Sequence, residues 1–225
     1  MSEHAPSHIN HRYRAFLFDM DGTIINSIAA AERIWGQWAT RHGLDVAAFL
    51  PTIHGARGVD TIAKLNLPNV DPHAEALWIT EAEIIDVAGI IEIAGAANFL
   101  KSLPASKWAI VTSAPRALAI ERLRAAGMPL PQVMVTGEDV SAGKPHPDCY
   151  LLAADKLGVD AADCLVFEDA TVGILAGQAA GANVMVVTAT HAHAIDTPHA
   201  TIASYDTIVA SVDGDGFIVL DRRAG

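Results

Sequence analysis

Strand-like and helix-like stretches alternate at short intervals through the second half of this chain, and that alternation restricts the fold more than any other feature. KWAIVTS (107–113) reads as a buried strand, and Pro115 then opens a helix that runs to Gly127. QVMVT (132–136) is a second strand, followed by a helix over Pro147–Leu157. CLVFED (164–169) is a third, followed by a helix over 171–180, and NVMVVT (183–188) is a fourth. Far upstream, RAFLFD (14–19) supplies another short buried strand that ends in a carboxylate. A chain that alternates in this way folds as a parallel sheet wrapped by helices. In SVDGDGFIVL turn residues separate two apolar runs, which predicts a closing hairpin and makes the acidic DGDG (213–216) a turn and not a metal site.

Between the first strand and the rest lies a stretch of different character. Residues Ile28 to His42 put Ile28, Ala31, Trp35 and Trp38 on one helix face, with Gly43 as the stop. Residues 58–67 and about 71–93 also read helical, and no strand is evident between 28 and 93. The expected organisation is a Rossmann-like α/β core of residues 1–26 and 95–225 with an all-α insert at 27–94. Trp35 and Trp38 belong to the core of that insert.

Charge and composition remove several classes of function. The 225 residues carry a net charge of -11, so a general nucleic-acid footprint is absent. No apolar run approaches the ~20 residues of a membrane helix, and SEHAPSHINHRYR lacks the apolar segment of a secretory signal. Cys149 and Cys164 sit in no metal or redox spacing and read as reduced thiols, which points to the cytoplasm. An acidic chain can still take an anionic substrate where a lysine, backbone NH groups and a metal override the distant field.

In open parallel sheets ligands sit beyond the carboxyl ends of the strands. The residues there are Asp19, Thr112 and Ser113, Thr136, Glu168 and Asp169, and Thr188. FLFDMDGTIINS adds Asp21 two residues after Asp19, and two like charges so close oppose each other's ionisation. A hard divalent cation with oxygen ligands, Mg2+, resolves that conflict, and Asp169 with Glu168 before it can supply further carboxylate. Asp19 can attack phosphorus to give an acyl phosphate, and Asp21 can act as general acid and then base. Gly22 lets the chain turn sharply. Thr112, with the NH groups that follow, makes an anion pocket, and Lys144 in AGKPHPD offers a cation that Pro145 and Pro147 hold stiffly. A calcium loop is excluded, because its glycine stands sixth and a glutamate twelfth. Here Gly22 is fourth and the twelfth residue is Ala30.

In this order the motifs resemble those of the haloacid dehalogenase superfamily, in the subclass with a helical cap. DMDGT matches its first motif, IVTS the second, GKP the third and FEDA the fourth, over essentially the whole chain. The chain is most similar to the small sugar and polyol phosphatases, including the glycerol-phosphate and 2-deoxyglucose-phosphate branch. The resemblance implies that Asp19 is the nucleophile and Asp21 the acid/base. It implies that Asp19, the Asp21 carbonyl and Asp169 bind Mg2+, with Glu168 steadying a metal-bound water. Thr112, Ser113 and Lys144 would hold the phosphate, and Gly22 would border it. TSAP lacks the glycine common after the second motif, and Thr171 stands where proline is common.

IHGARG resembles the family's substrate-specificity loop, so His54, Gly55 and Arg57 are candidates for contact with the sugar or the phosphate. His4, His8 and His11, and likewise His191, His193 and His199, lack companion ligands and read as surface residues. The expected partner is a small phosphorylated sugar or polyol, with no nucleic acid and no membrane, bound by a monomer or small homo-oligomer. The alternative is a phosphosugar mutase of the β-phosphoglucomutase type. Such mutases carry an arginine three residues after the cap-loop glycine, and here Arg57 follows Gly55 by two. Dehalogenases and phosphonate-cleaving relatives lack the second aspartate, which is present as Asp21.

Overall fold

The computed structural model describes residues 11–193 and 195–223; His4 and His8 lie outside them. In chain order, β1 (Arg12–Tyr13), β2 (Ala15–Phe18) and β3 (Ile25–Asn26) come first, then α1 (Ile28–Arg41), α2 (Val46–Phe49), α3 (Gly58–Leu65) and α4 (Pro72–Ile85). β4 (Ile91–Glu92) and α5 (Ala96–Ser102) lead back to β5 (Trp108–Val111), α6 (Arg116–Ala125), β6 (Val133–Val135) and α7 (Asp148–Leu157). β7 (Cys164–Glu168), α8 (Thr171–Ala179), β8 (Asn183–Val187) and β9 (Ala200–Ile202) follow, and β10 (Ile208–Val212) and β11 (Ile218–Arg222) close the chain.

Among the described residues six strands form one sheet in the order β6-β5-β2-β7-β8-β9, every neighbouring pair parallel. Successive side chains on a strand point to opposite faces, and a parallel sheet covered on both sides buries both sets. Here Phe16, Phe18, Trp108, Ile110, Leu165 and Phe167 pack on one side with α5 and α6. Leu17, Ala109, Val111, Cys164 and Val166 pack on the other with α7 and α8. The first face is aromatic, with Phe18 stacked on Phe167 at a centroid distance of 4.6 Å. The second is filled by small residues such as Ala153, Ala154 and Ala176, which let the helices approach closely.

The helices between β3 and β4 bury a cluster of their own, with Ile34, Trp35, Trp38, Phe49, Ile62 and Ile79 at its centre. The two tryptophans thus take the place their helical spacing predicts. β3 pairs with β4 antiparallel, Ile25 opposite Glu92, so the two chain connections of this helical unit run side by side.

Several short elements are absent from the sequence reading. The helix expected to reach residue 93 ends at Ile85, where Asp86 leaves helical geometry and pairs with Arg33. Gly89 then takes a left-handed conformation (φ 82°) before β4, a strand in a segment that read as helix. Two-residue strands carry no periodicity to detect. The closing hairpin is present, with β1 as a third strand, and Arg12 pairs with Asp213 and Asp215 of its turn. Among the described residues no helix is long and apolar enough to cross a membrane.

Candidate active site

Asp19 follows β2, Thr112 follows β5, and Glu168 ends β7 with Asp169 just after it, so three neighbouring strands deliver them to one edge. Lys144 enters from the loop before α7 with its side chain 1% exposed. Its Nζ lies 2.6 Å from Asp19 Oδ1 and 2.6 Å from Glu168 Oε1, and it donates to the Val111 carbonyl at 3.3 Å. Burial works against the ammonium, yet Asp19 and Glu168 hold its pKa well above the usual lysine value. The lysine that would be a solvated surface residue on its own is the buried centre of the cluster.

Glu168 is wholly buried and both its oxygens are engaged. Oε1 accepts from Lys144 and from the Tyr150 hydroxyl at 3.0 Å, while Oε2 accepts from the backbone NH groups of Asp169 and Ala170 at 2.9 and 3.0 Å. It thereby anchors the lysine and shapes the turn that presents Asp169. Thr23 donates to Asp169 Oδ1 at 3.1 Å. Asp21 accepts from Ser27 Oγ at 2.5 Å and from Arg122 Nη1 at 2.8 Å.

Asp19, Glu168 and Asp169 each present an oxygen within 4.8 Å of the others. Burial, with the charge of Glu168 behind it, pushes the Asp19 carboxyl up to about 7 despite Lys144. Asp169 is pushed up as well, first by burial and then by Glu168 and Asp19. Three carboxylates share one ammonium, and since Glu168 spends both oxygens on protein donors, Asp19 and Asp169 offer the free oxygens, a set that suits a hard divalent cation. The donor set fits Mg2+.

Two glycines make this crowding feasible. A Cβ on Gly22, whose φ is +87°, would stand 2.0 Å from Asp169 Oδ2. A Cβ on Gly173 would stand 1.6 Å from Glu168 Oε1, so the start of α8 needs a bare backbone there. Gly173→Ala is therefore expected to push Glu168 off Lys144 and to cost about 1–3 kcal/mol. Thermal denaturation measures it, and an unchanged melting temperature would mean that α8 shifts at no cost.

A cleft of about 1200 Å3 opens over the cluster, with Asp19, Asp21, Thr112 and Asp169 on the sheet side and Trp35, His54 and Ile79 on the side of the helical unit. Thr112 is buried, its hydroxyl accepting from the Ala114 NH at 3.1 Å. Ser113 Oγ donates to the Gly55 carbonyl at 2.8 Å, joining the core to the loop of the helical unit. Arg57 is spent in the same way. It pairs with Asp60 at 2.6 Å and donates to the Val140 carbonyl at 3.0 Å, so it ties the loop to the core. His54 lies 3.6 Å from Glu32, and both line the cleft.

Sequence reasoning overlooked Thr23, Ser27, Glu83, Arg122 and Tyr150. Thr23 was visible in DMDGT; Arg122 sits in IERLR, a charged run that reads as a solvated face. His191, read as a surface residue, places Nε2 3.0 Å from the Asp169 carbonyl.

The model of the haloacid dehalogenase-like hydrolases matches residues 13–181. Hexitol phosphatase A of Escherichia coli is 41% identical over 79% of this chain and 84% of its own. 2-Deoxyglucose-6-phosphate phosphatase 2 of Saccharomyces cerevisiae is 35% identical over 91% of this chain and 86% of its own. Both are phosphoric monoester hydrolases by name. A hydrolase from Pseudomonas syringae superposes with a TM-score of 0.70 at 27% identity, covering 78% of this chain and 84% of that one. The match spans the strands that deliver the acidic cluster, and the chain belongs to the haloacid dehalogenase-like hydrolase family.

Proposed function

We propose that this protein is a Mg2+-dependent phosphatase of small sugar or polyol phosphates that works through an aspartyl-phosphate at Asp19. The observation that carries the reading is the buried Lys144, held between Asp19 and Glu168 beside Asp169 at the carboxyl edge of a parallel sheet. The names of the relatives supply the substrate class. Residues 27–94 act as a cap domain over a core of 1–26 and 95–225; their separate apolar cluster and paired connections support that division.

Asp19 attacks phosphorus, and the phosphoryl group is then carried on its carboxylate until water cleaves the acyl phosphate. Asp21 gives a proton to the departing sugar oxygen and takes one from the attacking water. Lys144 holds the Asp19 carboxylate in place and offsets phosphate charge, and the Thr112 hydroxyl with the NH group of Ser113 borders the phosphate. Asp19, the Asp21 carbonyl and Asp169 would hold the cation. When bound, it supplies Lewis-acid stabilisation of the phosphoryl oxygens and removes the repulsion between substrate and carboxylates. The cap excludes bulk water, while His54 and the loop around Gly55 face the leaving group.

The test is phosphate release, with and without Mg2+, from glycerol 3-phosphate, 2-deoxyglucose 6-phosphate, fructose 1-phosphate, mannitol 1-phosphate and glucose 1-phosphate. Release concentrated on a few members and abolished by a chelator is expected. Undiminished release after chelation would remove the metal from the mechanism. Isomerisation of glucose 1-phosphate without phosphate release would identify a mutase instead.

A further inference from the structure

Arg122 belongs to α6 in the core, yet its guanidinium spans two carboxylates from different parts of the chain. Nη1 donates to Asp21 Oδ1 at 2.8 Å, and Nη2 stands in ion-pair contact with Glu83 Oε1 on α4 of the helical unit at 2.9 Å, without the alignment of a hydrogen bond. Arg122 and Glu83 side chains are each 7% exposed, and both border the cleft. A charged run on an exterior helix has no packing reason to bury one of its arginines. Burying this one costs desolvation that only specific partners repay. The partners are the acid assigned to proton transfer and a carboxylate of the cap. Asp21 has one further side-chain donor among the described residues, Ser27, at the first turn into α1.

We infer that Arg122 is a positioning residue: it orients the Asp21 carboxylate, with Glu83 of the cap fixing the guanidinium in turn. A guanidinium is planar, so a carboxylate charge drawing one arm biases the direction of the other. With the helical unit docked, the charge of Glu83 attracts one arm at ion-pair distance and the other arm donates to Asp21. With it withdrawn, Arg122 loses that anchor and Asp21 loses its fixed orientation. Acid/base readiness is thereby tied to cap closure through one side chain. This inference rests on the reading of Asp21 as acid/base.

Leaving-group dependence separates positioning from mere structure. An alkoxide leaves only with a proton, whereas p-nitrophenolate leaves without one. At saturating Mg2+, Arg122→Met is expected to lower kcat/KM for glycerol 3-phosphate by about 100-fold, in the range general acid catalysis is worth. For p-nitrophenyl phosphate the loss should stay within about 3-fold, because nucleophilic attack itself is untouched. Adding Arg122→Met to Asp21→Asn should then cost the alkyl substrate nothing more, as expected for residues acting as a unit. Equal losses on both substrates, or additive losses in the double variant, would overturn the inference. Should Arg122→Met fail to fold, Glu83→Gln decides. Selective loss on the alkyl substrate supports the coupling, and equal or absent loss overturns it. If Asp21→Asn itself spares the alkyl substrate, the reading of Asp21 fails first, and that result is distinct from failure of Arg122.

Discussion

Asp19→Asn is expected to lower phosphate release by more than about 10^4-fold, the scale on which removal of a covalent nucleophile acts, while the fold stays at least as stable. The amide matches the carboxylate in shape and keeps an oxygen for the Lys144 ammonium 2.6 Å away. It cannot form the acyl phosphate, so chemistry stops whatever the binding. Stability follows from the crowding. Asp19 is one of three acids whose oxygens lie within 4.8 Å of each other, and burial already works against its charge. Removing that charge relieves repulsion without opening a cavity, and without bound cation the melting temperature should hold or rise. Phosphate release and a thermal scan on one preparation test both halves. Retained turnover would reject Asp19 as nucleophile, and a collapsed melting temperature would reject the electrostatic account of the cluster.

How far the site was legible depended on where each residue stands relative to a strand end. Asp19, Thr112, Glu168 and Asp169 were legible because apolar runs announce the strands and ligands collect at their carboxyl edge. Lys144 lies on a loop, and only its company in GKP marked it; that it would be 1% exposed was invisible. Glu83 and Arg122 could not be read at all. Each is a charged residue on a helix, and what buries them is the meeting of α4 with α6, a tertiary contact that no local period encodes. The same limit explains β3 and β4, whose two-residue strands exist only because they pair with each other. Arg57 lines the cleft, but its protein partners were not legible. Its place in a specificity-like loop suggested substrate contact, while the structure spends it on Asp60 and on the core carbonyls of Gly137 and Val140.

Lys144→Met should be damaging in both respects, in contrast to Asp19→Asn. The methionine fills much of the lysine's space, so packing is largely preserved and the charge is what is lost. Asp19, Glu168 and Asp169 then stand together with no cation from the protein, and Glu168 keeps only Tyr150 and two backbone NH groups. Breaking a buried pair by removing one partner costs about 3–5 kcal/mol. For a domain of this size that corresponds to a fall in melting temperature on the order of 10 °C in chelator. Turnover should fall with it, because the nucleophile loses its orientation and the phosphate its fixed positive charge. Mg2+ restores positive charge to the same acids, so it should stabilise the variant more than the parent. The comparison is a pair of thermal scans, with chelator and with Mg2+, on each protein. A variant that melts with the parent in chelator would show that the acids balance without the lysine. A variant that falls and is then rescued by Mg2+ would show that lysine and cation neutralise one buried cluster between them.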